Sequence, residues 1–101
     1  MNDDEKRLFV KFKEEVELTN WENLRPHHQR HALFVVEPHL DLIQISIDVA
    51  LDNIKAVKNA MELNLLRYPT ERELKDWDEN PSSNIGRFLI VSPYVFFQGN
   101  E

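Results

Sequence analysis

Polar residues divide the apolar positions of this chain into short sets, each with its own period. Leu8, Phe12 and Val16 recur every fourth residue with Phe9 beside them, so Asp4–Glu17 predicts an amphipathic helix that leaves Val10 off its stripe. Asp3 and Asp4 stand where a helix dipole favours anions, and Asp3–Arg7 is an i,i+4 pair worth about 0.3 kcal/mol. Thr19-Asn20-Trp21-Glu22 reads as a capping box, with the Thr19 hydroxyl facing the Glu22 amide. It opens a short helix through Leu24 or Arg25, with Trp21 and Leu24 inward and Pro26 ending it or starting another turn.

Ala32–Val36 has no polar residue and predicts a strand covered on both faces. Glu37–Asp41 turns the chain. In the next stretch Ile43, Ile45, Ile47 and Val49 alternate with Gln44, Ser46 and Asp48. That alternation predicts a strand over Ile43–Val49, paired with Ala32–Val36 as a hairpin. A helix is its rival, because Gln44, Asp48, Asp52 and Lys55 fall near helical spacing; the density of β-branched residues weighs toward the strand. Asp52 then caps a helix whose face is Ile54, Val57, Met61 and Leu65, and Asn64 closes it in the left-handed conformation. Thr70 and Glu73 form a second capping box. Pro69 staples onto Leu74, Leu74 and Trp77 turn inward, and the helix stops near Asp78. Asn80–Asn84 has turn chemistry at nearly every position, Phe88–Val91 is a strand, Pro93 interrupts the ladder, and Tyr94–Gln98 resumes extended structure. The fold class is therefore α+β: a small antiparallel sheet with helices packed mainly on one face, with residues 1–101 forming a single domain.

Composition narrows the class further. Apolar residues make up 42% and charged residues 30%, a balance that still folds because the Ile, Val and Phe runs supply a core. The absence of cysteine excludes disulfides and thiolate metal sites and fits a reducing compartment. The acidic start Met1–Glu5 lacks the basic, apolar pattern of a secretory signal, and no apolar run approaches the roughly 20 residues that span a bilayer. A cytoplasmic protein without membrane contact is expected. The net charge of −6 argues against nucleic acid, which is bound largely by Lys and Arg.

Leu40-Asp41-Leu42, the alternating stretch ending at Asp52, Leu65-Leu66, and Leu89-Ile90-Val91-Ser92-Pro93-Tyr94-Val95 together resemble a bacterial family of small uncharacterised proteins, a domain of unknown function. Trp21-Glu22-Asn23-Leu24 is similar to that family's Trp-Glu-x-Leu segment, and the likeness runs from about Lys11 to Gln98. Tyr94 stands where Trp is usual and Asn64 where Gly is usual, and the Arg25–His31 stretch has no counterpart. The resemblance implies one soluble bacterial domain and carries over no reaction, ligand or catalytic residue.

The candidate chemistry is thin. His27 and His31 are four apart and would share a helix face; with His39 or a carboxylate they would make a zinc site, although Arg25 and Arg30 would repel a dication. The same stretch is the one basic patch and a candidate anion site. Asp41 and Asp48 border apolar runs, where burial would raise a carboxyl pKa, but a capping or hydrated role is the commoner one; Glu37 reads the same way. No nucleophile motif and no phosphate-cradling loop occurs. No residue is therefore assigned a catalytic, cofactor or metal role. Tyr94, Phe96 and Phe97 place aromatics on both faces of the last strand, one more than a single helical layer covers. The reading favoured is a non-enzymatic interaction or regulatory module that self-associates, or meets a protein partner, through the Tyr94–Phe97 region. An enzyme or metal-binding protein using His27, His31 and Asp41 is the alternative, and a winged-helix-like nucleic-acid binder a further one.

Overall fold

The computed structural model describes residues 2–100 and builds from them helices on both sides of a five-stranded sheet. Helix α1 spans Asp3–Glu15. Asn2 caps it by accepting from the Glu5 amide, and three acidic residues fill its first turn. Its ion pair is Asp4–Arg7 at 2.7 Å, an i,i+3 contact in place of the predicted Asp3–Arg7. Phe12 is buried, whereas Val10 faces solvent as its place off the stripe predicts. The helix ends two residues early because Glu17–Asn20 forms strand β1, which the sequence reading missed.

Helix α2 follows directly over Trp21–Gln29 and is capped by Asn20, which accepts from the Asn23 amide at 2.9 Å. The predicted Thr19–Glu22 box is not made: Thr19 belongs to β1 and is buried there. Pro26 sits in the second turn of α2, where it removes one backbone bond without ending the helix. Strand β2 is Leu33–Val36.

Ile43–Val49 is not a strand but the centre of helix α3, Leu42–Ala50, so the hairpin with Ala32–Val36 does not exist. The reason is burial on several sides. Leu42, Ile45, Ser46 and Ile47 are all buried, and within the helix only Gln44 and Ala50 are exposed, with Ile43, Asp48 and Val49 half-buried. A helix packed between other helices and a sheet is apolar around most of its circumference, so its pattern loses the helical period. Asp41 caps it, accepting from the Ile43 and Gln44 amides at 2.9 and 3.1 Å.

Helix α4 is Ile54–Glu62 and starts after Asn53 rather than at Asp52. Asp52 instead has φ 55° and closes α3. A two-residue strand β3, Leu66–Arg67, is followed by helix α5, Glu71–Glu79, whose Thr70–Glu73 capping box is formed in both directions. Strands β4, Asn84–Val91, and β5, Tyr94–Gly99, are a hairpin across Ser92-Pro93, so Pro93 lies in a turn rather than in the ladder.

The strand order is β1-β4-β5-β2-β3. Every pairing is antiparallel except β2 with β5, which run parallel with Leu33 opposite Val95 and Val35 opposite Phe97. The α+β class holds, but the sheet is mixed rather than wholly antiparallel, and helices cover both of its faces rather than mainly one. Alternation along the central strands sends Phe96 and Val36 to one face, where they join Phe12, Ile45, Ile47 and Leu89. It sends Val95, Phe97, Leu33 and Val35 to the other, with Trp21 and Leu24 of α2 and Leu74 and Trp77 of α5. Gly86 is required at the β4–β5 crossing, since a Cβ there would collide with the Gln98 carbonyl oxygen and lie 2.7 Å from the Phe97 ring.

Candidate functional site

The histidine stretch is built by the end of α2. His27 lies on the helix, where burial first and the Arg30 charge second hold its imidazole below the ordinary value. Its Nδ1 lies 2.8 Å from an Arg30 guanidinium nitrogen, so the neutral ring accepts there. His31 has left the helix. It has φ 60°, and the His31 and Ala32 amides donate to the His28 and His27 carbonyls, the double bond set of a left-handed helix terminus. His31 thus closes a helix instead of facing His27 across one turn. His39 lies elsewhere, beside Asp41, Arg87 and Gln98 in a groove of about 430 Å³. Among the described residues no group of three or more His, Asp or Glu side chains is placed to hold a metal ion.

The basic patch is also engaged internally. Arg25 donates to Asp78 at 3.0 Å, and Arg30 donates to the Pro93 carbonyl at 2.9 Å. Asp41 spends its carboxylate on the α3 cap, and Asp48 accepts from Gln44 and Asn53. Strand β2 separates α2 from α3, while α3 is followed by a second helix after the short turn of residues 51–53.

Two features stand at residues whose pattern carries little signal. One is Arg67, whose guanidinium is shared between two carboxylates. It donates to Glu37 at 2.8 and 3.0 Å and grips Glu73 with two bonds, at 2.7 and 3.2 Å. Its side chain is only 21% exposed. The hydrogen bond to Glu73 raises the Arg67 pKa most; burial opposes it, and Glu37 adds to it. Burial pushes the Glu73 carboxyl up, but the bonds from Arg67 and from the Thr70 amide outweigh that and hold it below the ordinary range. Glu73 was legible as a capping residue; its second partner was not, because nothing in Leu66-Arg67-Tyr68 marks a strand so short.

The other feature is an aromatic row made by Phe34 of β2, Tyr94 of β5 and Tyr68, the residue that follows β3. Tyr68 stacks on Phe34 with centroids 4.8 Å apart and planes 25° apart, and Tyr94 meets Phe34 edge-on at 5.7 Å. Tyr68 is 53% and Tyr94 41% exposed. Phe96 and Phe97, by contrast, are 2% and 1% exposed, covered by the chain's own two layers. The arithmetic that left one face of β5 bare is answered by α2 and α5, and Tyr94 is the aromatic of that strand left facing outward. An apolar groove of about 590 Å³ lies apart from this row, lined by Val49, Ile54, Val57 and Met61 and rimmed by Asp52, Lys58 and Glu62.

An α+β architecture with a mixed sheet and an aromatic surface defines a structural class but no reaction. The model of the family "Protein of unknown function (DUF2288)" matches residues 7–99, and the chain belongs to that family. This agrees with the resemblance to a family of uncharacterised proteins drawn from the sequence. The chain is also similar to PA1075 from Pseudomonas aeruginosa, whose NMR solution structure matches with a TM-score of 0.76 at 26% identity, covering 100% of this chain and 92% of that one. None of the curated proteins matches. Among the described residues, no helix is long and apolar enough to cross a membrane.

Proposed function

We propose that this chain is a small cytoplasmic interaction module, without enzymatic activity, that self-associates through the region around Tyr94. The observation that carries the reading is the exposed row Tyr68–Phe34–Tyr94 at the β3 edge of the sheet. Aromatic side chains lend large rigid contact area, and such clusters are enriched at the centres of interfaces. The rings are held in fixed geometry by Phe34, which packs into the first core, so little side-chain entropy remains to be lost on contact. A second copy related by a two-fold axis would place like patch on like patch. The lack of cysteine supports the cytoplasmic assignment.

Light scattering across a concentration series tests the reading. The wild-type chain is expected to double its mass, and Tyr68→Ala with Tyr94→Ala to return it to monomer with the fold intact by circular dichroism. A wild-type chain that stays monomeric to millimolar concentration ends it.

A further inference from the structure

The helix α5 is attached to the molecule in a different way from the others. No residue of Glu71–Glu79 is buried, whereas α3 buries four and α2 buries Trp21 and Leu24. Its inner side is Leu74 and Trp77, both half-exposed against the second core. Polar tethers hold the two ends. At the start, Glu73 is gripped by Arg67, which also holds Glu37 beyond the end of β2. At the finish, one Asp78 oxygen accepts from the Trp21 indole at 2.6 Å and from Arg25 at 3.0 Å. Between them Trp77 touches Trp21 and Phe97 with ring centroids 5.3 and 5.4 Å apart. A cavity of about 400 Å³ runs beneath the Arg67 end, reaching Val35, Trp77 and Phe97. Neither flanking segment, Tyr68–Thr70 or Asn80–Ser83, is part of the sheet, and no ladder hydrogen bond depends on α5.

We propose that α5 is a strap that opens as a unit while the five-stranded sheet and α2 stay folded, with Arg67 and Asp78 as its two latches. The physical ground is a balance of terms. A nine-residue helix is marginal by itself, and local opening draws on segments with few buried apolar groups. Asp78 and Arg25 are 58% and 43% exposed, so water competes for that latch; Arg67, better buried and bidentate, is the stronger one. Opening uncovers Trp21, Phe97 and Val35, an apolar strip on the side of the sheet opposite the Tyr68–Phe34–Tyr94 row. The molecule would thus hold one apolar surface open and a second one under a latch.

Native-state hydrogen exchange of the full chain tests this, with α2 as internal standard because it has the same length and lies on the same face. In the wild-type protein the central α5 amides are expected to exchange at least about tenfold faster than those of α2 and of Val95–Phe97, with little dependence on added denaturant. Arg67→Gln and Asp78→Asn are each expected to speed α5 exchange, Arg67→Gln by about tenfold or more, and to leave β5 rates unchanged. Wild-type α5 amides that exchange only with the global unfolding of β5, or at the same rate as α2, overturn the proposal. That reading needs no variant to fold. A uniform rise across all elements in both variants would likewise show ordinary structural tethers and overturn it.

Discussion

Glycine is scarce in this chain, and three helices close through a left-handed residue of another type. His31, Asp52 and Asn64 take φ of 60°, 55° and 58° at the ends of α2, α3 and α4. In each case the residue itself and the one after it donate to carbonyls of the last turn: His28 and His27, Val49 and Asp48, Met61 and Ala60. Left-handed backbone costs an ordinary L-residue about 1–2 kcal/mol, and Asn or Asp less because a short polar side chain compensates locally. His31→Gly is therefore expected to stabilise by about 1 kcal/mol, Asn64→Gly to be close to neutral, and Asn64→Val to be clearly harmful. Urea denaturation of the three variants checks the order. Asn64 was legible because it follows an apolar stripe directly. His31 was not, since a histidine four residues after another suggests a ligand pair before it suggests a helix terminus.

Among the elements, α3 is where pattern and structure parted. A strand would put Ile43 and Ile45 in equivalent places on one face. In the helix Ile45 is fully buried and Ile43 only half so. Ile45→Ala should thus cost about 2–5 kcal/mol, Ile43→Ala distinctly less, and Gln44→Ala almost nothing; equal losses at 43 and 45 would contradict the helix. Period-two alternation of β-branched residues is a local signal, and the packing of α1 and α4 around α3 overrides it. Elements that touch water along one side, such as α1 and α5, kept their periods and were readable. The Thr70–Glu73 box survived intact because a cap depends on neighbours three residues apart and on nothing distant. The aromatic row and the Arg67 grip were invisible for the opposite reason. Phe34, Tyr68 and Tyr94 meet only once β2 has β3 on one side and β5 on the other.

For the whole molecule, the Arg67 node sets an acid limit. Glu73 is held below its ordinary value of 4.5, so its contribution to stability is complete above that pH and is lost as pH falls through the folded-state value. Stability measured from pH 6 downward should fall more steeply in the wild-type protein than in Glu73→Gln, which has no carboxyl to titrate. Equal slopes would show that Glu73 ionises alike in both states.

The parallel pairing of β2 with β5 also governs when this molecule can come into being. Leu33 must find Val95 across more than half of the chain, and the strand that carries Val95, Phe96 and Phe97 contributes to both cores, as do β2 and β4. A chain that has emerged only as far as Pro93 has two separate ladders, β1 with β4 and β2 with β3, and no strand pairing between them. Distant contacts of this kind close late and fold slowly. The cores that take in Trp21, Leu33 and Ile45 therefore close only once the six residues of β5 have docked.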